Sequence, residues 1–327
     1  MKGVRARVIQ AWCVELNAEV TISQARREFF CLEEPRAGFT FFCHDPACRS
    51  LPEKVPVSGV NYQVPAEESE KYKAAHFRAY KPHHEDCRWI LRPEPVELPG
   101  ESPEERRQRF ARRKISDLVT VFDPRRKGSI DGESGRKSHD VSPGRAEGGG
   151  SWAGRAGNPG ASRGETRTSD LDSLVDSYLE AKSKLSTADF RALDLQIVGT
   201  GRVRIVDYFQ GVERADGAGV IFGGIKRISP YGYGFGLEFY DKREGAAVRL
   251  YVSSEQLRDF RYRRLIRAGV DEALESKGAK YLRAYCIGRF EWSPNHNSWN
   301  LVVDDLNHLV LRVVKKAVVV EKEAKRQ

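Results

Sequence analysis

Three of the six cysteines and four of the seven histidines in this 327-residue chain fall between Phe41 and Cys87. The stretch opens with Phe41-Phe42-Cys43-His44-Asp45-Pro46-Ala47-Cys48 and closes with His83-His84-Glu85-Asp86-Cys87. His76-Phe77-Arg78 lies between. A closed Cys/His set around Zn2+ is tetrahedral and structural, and it dictates how the chain must turn around it. Cys43 and Cys48 have knuckle spacing. His83 and Cys87 stand at i and i+4, so a short helix beginning at Pro82 would put both on one face. The expected site is a structural zinc held by Cys43, Cys48, His83 and Cys87, with His76 and His84 as rivals for the histidine place. A catalytic zinc would need an open position and a base such as Glu85, and four protein ligands argue for the closed form. Cys13, Cys31 and Cys286 have no such company and read as core residues.

The chain carries 55 Lys and Arg against 46 Asp and Glu, a formal charge of +9. A basic excess points to anionic partners, nucleic acid first. No apolar run reaches the ~20 residues of a membrane span. The basic start (Lys2, Arg5, Arg7) is not followed by an apolar h-region, so no signal peptide is expected. The cytoplasm is the expected compartment. Thiols there stay reduced, which favours metal ligation over disulfides.

The expected organisation is a zinc-binding module at 1–97, a charged helix and a strand at 98–127, a disordered linker at 128–168, a connecting helix at 169–188, a β-barrel domain at 189–320 and a charged tail at 321–327. In the first module Val8–Val14 and Phe39–Phe42 read as strands, Val20–Ser23 as a strand or as the lead into a helix capped by Ser23, Ser50–Ala66 as a loop and Lys71–Tyr80 as a helix. Gly148-Gly149-Gly150 and the Gly/Arg/Ser composition around it cannot bury enough surface to offset ordering entropy.

Beyond Asp189, strands are expected at Val203–Ile205, Gly219–Ile225 and Gly234–Tyr240, with Val248–Val252 extending the third or pairing beside it. The glycines of Gly219–Ile225 suggest a bulge or sharp bend. Ser253 to Gln256 makes a capping box, and its helix runs to a Gly278 stop. Lys280–Trp292 and Trp299–Asp304 read as further strands. Leu309–Val320 follows as strand or helix. The fold class is therefore α+β, with an OB-like barrel carrying a helix between its third and fourth strands. OB-folds bind single strands by stacking bases on aromatics in a basic groove. The candidates are Arg202, Arg204, Tyr208, Tyr231, Tyr233, Arg289, Trp292 and His296. The basic helix with Arg258, Arg261, Arg263, Arg264 and Arg267 reads as a solvating surface.

The Phe41-Phe42-Cys43…Cys48, His76-Phe77-Arg78 and His83…Cys87 pattern is similar to the N-terminal zinc-finger region of CoiA-like competence proteins and their mobile-element relatives. The likeness covers about residues 25–92. It implies a bacterial origin and a role in handling incoming or mobile DNA. No convincing Asp…Glu-x-Lys nuclease arrangement follows downstream. The reading is a non-enzymatic, single-stranded DNA- or RNA-binding protein with structural Zn2+. A nuclease accessory is the alternative, with Asp189, Asp194, Glu238 and Asp241 as the carboxylates to inspect. A protein-interaction adaptor is the second alternative.

Overall fold

The computed structural model describes residues 6–65, 67–68, 75–91, 98–115, 118–125, 167–276 and 280–315. Among them no helix is long and apolar enough to cross a membrane. The architecture is mixed α and β, built on three sheets. The expected linker lies outside the described residues, apart from Arg167–Thr168, which pairs parallel with Val121–Phe122.

The first sheet is antiparallel and runs Ala18–Thr21, Gln10–Cys13, Phe41–Cys43, Pro56–Val60, His76–Ala79. The expected loop at Ser50–Ala66 thus contains a strand. Pro56 is its first residue, where a missing donor is tolerated. Gly59 sits in it because a Cβ there would meet Phe41 Cε2 at 2.8 Å and Tyr62 Cδ1 at 2.9 Å. The part of the Lys71–Tyr80 segment that is described, around His76, is a strand rather than a helix. Its residues alternate across a half-buried sheet, and that period overrides helical composition. Residues 71–74 lie outside the described set. The helix Ile22–Cys31 starts at Thr21, not at the expected Ser23 cap: Thr21 Oγ1 accepts from Gln24 N at 3.3 Å, and Gln24 Oε1 accepts from Thr21 N at 2.8 Å. Ser23 is buried instead.

The largest sheet orders its strands Arg289–Ser293, Ser298–Val302, Ala246–Val252, Gly234–Arg243, Val220–Tyr231, Lys280–Cys286, Leu309–Lys315, Glu67–Glu68. Val220–Tyr231 changes partner part-way: Ile221–Gly224 pair with Lys280–Cys286, and Ile225 onward pairs with Gly234–Arg243. A bulge between Ile225 and Arg227 marks the change, as the glycines suggested. The capping box forms as read, with Gln256 N donating to Ser253 Oγ and Ser253 N to Gln256 Oε1, both at 3.0 Å. The helix it opens breaks into Ser254–Asp259 and Arg263–Glu275. Gly278 lies outside the described residues.

No sheet closes into a barrel among the described residues. Where the first strand was expected at Val203–Ile205, the observed strand is Gly201–Arg204, and it pairs with Asp194–Ile197 in a separate four-stranded sheet. Ile205–Tyr208 is a short helix. Ile205 and Tyr208 are buried, and the chain joins the larger sheet only after them, where Phe209–Gly211 pairs parallel with Val220–Phe222.

Two apolar layers flank the large sheet. Phe235, Leu237, Val248 and Leu250 pack with Leu257, Ile266 and Val270 of the two helices. On the opposite face, Tyr285, Phe222 and Val310 pack with Leu174 and Tyr178 of Leu171–Lys184. That helix is buried on nearly every side: Leu171, Asp172 and Leu174 to Ala181 are all buried, polar members included. Its Asp172 and Asp176 meet Arg312 at 2.5 and 2.9 Å and Arg26 at 3.6 and 3.3 Å, all inside the protein.

The N-terminal module is fastened to the rest through the helix Ile22–Cys31. Glu28 accepts from Arg261 at 2.7 Å and from Tyr262 Oη at 3.1 Å. Arg264 donates to the carbonyl of Cys31 at 2.7 Å. Arg261 and Arg264, expected only to solvate their helix, are thus docking residues.

Candidate metal centre and the exposed aromatic residues

The strand Phe41–Cys43 is held between two neighbours, Cys43 opposite Ala11 on one side and Phe41 opposite Val57 on the other. It delivers Cys43 buried at its end. Asp45 then caps the short helix Pro46–Arg49, accepting from Ala47 N at 3.0 Å, and this turn presents Cys48. The second half of the site arrives on turns. The expected short helix at Pro82–Cys87 does not form: Cys87 N donates to His84 O at 2.9 Å and Ile90 N to Cys87 O at 3.1 Å, each a tight turn. Asp45 joins the halves, since its other carboxylate oxygen accepts from Arg88 N at 3.2 Å and faces Arg88 Nε at 3.3 Å.

Cys43, Cys48, His83 and Cys87 converge, and their ligand atoms all lie within 4.8 Å of one another. Cys43 Sγ is 3.8 Å from Cys87 Sγ. His83 Nδ1 is 3.5 Å from Cys48 Sγ and 3.4 Å from Cys87 Sγ. A disulfide would need ~2.05 Å, so these are separate thiols. Sulfurs ~2.3 Å from the centre of a tetrahedron stand about 3.8 Å apart, and a sulfur and an imidazole nitrogen about 3.5 Å. The observed separations match those edges, so the residues fit a metal ion. Among the described residues this is the group of His, Cys, Asp and Glu side chains so arranged.

Burial sets the electrostatics of the site. Burial pushes the Cys87 thiol up to about 11. Burial also raises Cys43, and the neighbouring Cys87 and Cys48 add to it. Burial lowers His83, disfavouring imidazolium. Left alone, Cys43 and Cys87 hold their protons more tightly than free thiols do; a bound cation would exchange those protons for coordination. The amide of His84 already donates to Cys48 Sγ at 3.4 Å.

The rivals lie elsewhere. His84 Nδ1 accepts from Asp86 N at 3.2 Å. His76 stands on a strand opposite Val60. Two neighbours that the sequence reading missed support the site. His44 is buried with Nδ1 2.8 Å from Glu19 and Nε2 2.8 Å from Arg88. Asp45 bridges the two ligand pairs, and its signal was the Asp-Pro step, a helix start.

The nucleic-acid candidates do not form one groove. Tyr208 is core, against Phe122 and Phe209, and burial raises its hydroxyl to about 12. Arg202 and Arg204 are exposed on the separate four-stranded sheet, with Arg202 3.8 Å from Asp194. Arg289 is engaged by Asp304 and Glu291. Trp292 and Trp299 pack edge-on at 5.2 Å, and His296 is exposed in the turn between their strands. Tyr231 and Tyr233 part company: Tyr231 lies 5.9 Å from Tyr251, while Tyr233 sits under Arg267 of the helix.

The four carboxylates marked for inspection each have local cationic partners or stand apart. Asp189 faces Arg107 and Lys114, Asp194 faces Arg202, and Glu238 faces Lys226, Arg227 and Arg249. Asp241 is exposed. Searches of family models, curated proteins and solved structures find no significant match to this chain.

Proposed function

We propose that this is a non-enzymatic nucleic-acid-binding protein whose N-terminal module is stapled by a structural Zn2+. The ligand is single-stranded DNA or RNA. The zinc identity rests on the donor set. Three thiols and one imidazole at tetrahedral spacing suit Zn2+, and four protein donors leave no position for substrate. The metal would then supply folding energy rather than chemistry.

The observation that carries the nucleic-acid reading is an uncovered stretch of the large sheet. Tyr231, Tyr240 and Tyr251 stand about half exposed there in a chain of formal charge +9. Sheets that present aromatics and cations to solvent are a recurrent single-strand-binding surface, because every base has a face to stack. The likeness to CoiA-like proteins adds incoming or mobile DNA in a bacterium as the setting.

Two measurements test the reading. Elemental analysis of purified protein is expected to find one zinc per chain. A labelled short oligonucleotide is expected to bind at low salt and to release as salt rises. A metal-free protein with full stability would overturn the first half, and absence of binding at low salt the second.

A further inference from the structure

The uncovered part of the large sheet has an internal plan. Along Gly234–Arg243, residues 235, 237 and 239 point into the core, so Gly236, Glu238 and Tyr240 face outward. Across the ladder Gly236 is opposite both Ser229 and Tyr251, and Glu238 is opposite both Arg227 and Arg249. A strand face repeats every second residue, so Tyr231, Tyr240, Tyr251, Arg227 and Arg249 share the outer surface.

Each aromatic group lies over a glycine. A Cβ on Gly236 would come 3.0 Å from Tyr231 Cε2, so the Tyr231 ring occupies the space a side chain would fill. Tyr251 stands beside it, ring centroids 5.9 Å apart. At the other end, a Cβ on Gly224 would come 3.2 Å from Tyr281 Cε2 and 3.3 Å from Tyr240 Cδ2. Those two rings are 6.1 Å apart, edge to face. Two tyrosine pairs therefore lie over glycines of two neighbouring strands, Gly236 and Gly224, on one face of the sheet. Gly236 and Tyr240 are four residues apart, roughly 14 Å along a strand.

Cations fill the space between. Lys226 lies 3.4 Å and Arg227 2.8 Å from Glu238, and Arg249 lies 3.7 Å from it. One carboxylate thus holds three cations whose side chains are 60%, 63% and 42% exposed. The excess charge faces solvent between the aromatic pairs. Tyrosines offer stacking faces, and the cations match a phosphate backbone.

We infer that this surface is a two-station platform for single-stranded nucleic acid, with bases stacked on Tyr251 and Tyr231 at one station and on Tyr240 at the other. Lys226, Arg227 and Arg249 hold the intervening phosphates. The inference rests on the nucleic-acid reading above and replaces Tyr233, Trp292 and Arg202 with a defined set of contacts. A duplex hides its base faces and gains nothing from the tyrosines, so single strands are preferred.

The test is a fluorescence-anisotropy titration of the full-length protein with labelled oligothymidylate, and in parallel oligouridylate and a duplex. Tyr251→Ala and Tyr240→Ala are each expected to weaken single-strand binding roughly 5- to 150-fold, the range of one lost stack. Tyr251→Phe should restore most of it. Arg249→Ala should lower the slope of log affinity against log salt by about 0.7. Tyr233→Ala and Trp292→Ala should bind as the parent does. Unchanged thermal melting of the tyrosine variants excludes misfolding. If the parent binds and the Tyr251→Ala and Tyr240→Ala variants bind equally well, the platform is wrong while the nucleic-acid reading stands. If the parent binds no oligonucleotide at low salt, or self-associates through this face instead, both fall.

Discussion

Arg27 donates to Asp170 across 2.8 Å, joining residues 143 positions apart inside the protein. Its guanidinium also lies 4.1 Å from the ring centroid of Tyr262 and donates to Asn307 at 2.8 Å. One side chain of the N-terminal module therefore touches the cap of the helix Leu171–Lys184, the basic helix and the turn before the last strand. Together with Arg26, Arg312, Asp172 and Asp176 it forms a buried ionic junction.

Replacing Arg312 with Met should destabilise the protein by about 3–5 kcal/mol, because Asp172 and Asp176 would lose a partner while remaining buried. Urea denaturation measures this. Combining Arg312→Met with Asp172→Leu should cost less than the sum of the two single changes, since the pair leaves together.

Cys43→Ser and His83→Ala are each expected to lose the bound metal and lower the melting temperature. His84→Ala should keep both, because His84 meets the site through its backbone, the amide donating to Cys48 Sγ and the carbonyl accepting from Cys87 N. Elemental analysis with thermal melting distinguishes the two histidines. Chelation should destabilise the parent and leave Cys43→Ser unaffected.

Alkaline pH should weaken the fold through Cys286. Complete burial raises its thiol from 9.0 to about 12. Between those values the unfolded chain has released this proton and the folded chain retains it. Stability is therefore full below pH 9 and falls as pH rises towards 12. Denaturant midpoints compared at neutral and alkaline pH should show the decline. Cys286→Ala should show a shallower one.

Gly288→Ala should be strongly destabilising, because the new Cβ would stand 2.3 Å from the carbonyl oxygen of Val302. Backbone cannot yield as a side chain can, and overpacking of this kind costs about 1–3 kcal/mol or more. Gly211→Ala, where no atom lies within 4 Å, should change little. Chemical denaturation of both variants tests the contrast.

The ligand set was legible because metal chemistry fixes residue type and spacing together. Cys43, Cys48, His83 and Cys87 announce themselves in a way that no single hydrophobic residue can. The strands of the large sheet were legible from alternation, and its bulge from the glycines near Ile225. What alternation could not convey was partnership. Val203–Ile205 reads as a strand of the same kind as Val248–Val252, yet Gly201–Arg204 pairs with Asp194–Ile197 in another sheet and Ile205 opens a short helix. The turn at His83–Cys87 was misread as helical because i, i+4 spacing suits a helix, whereas the metal-site geometry needs only that two ligands converge. The ionic junction was invisible: Arg26, Arg27 and Arg312 look like ordinary surface charge until Asp172 and Asp176 face them.

The parallel pairing of Glu67–Glu68 with Val313–Val314 has a consequence for the order in which the chain can mature. Residues 67–68 occupy the edge of a strand whose residues 313–314 are made much later. During synthesis that pairing must wait for residues 313–314, whereas the neutralisation of Arg26 and Arg27 needs only Asp170, Asp172 and Asp176. The metal knuckle, whose ligands span Cys43 to Cys87, can close long before. Maturation would then proceed from an early, metal-clipped nucleus to a late docking step, with contacts of long sequence separation setting the slower rate.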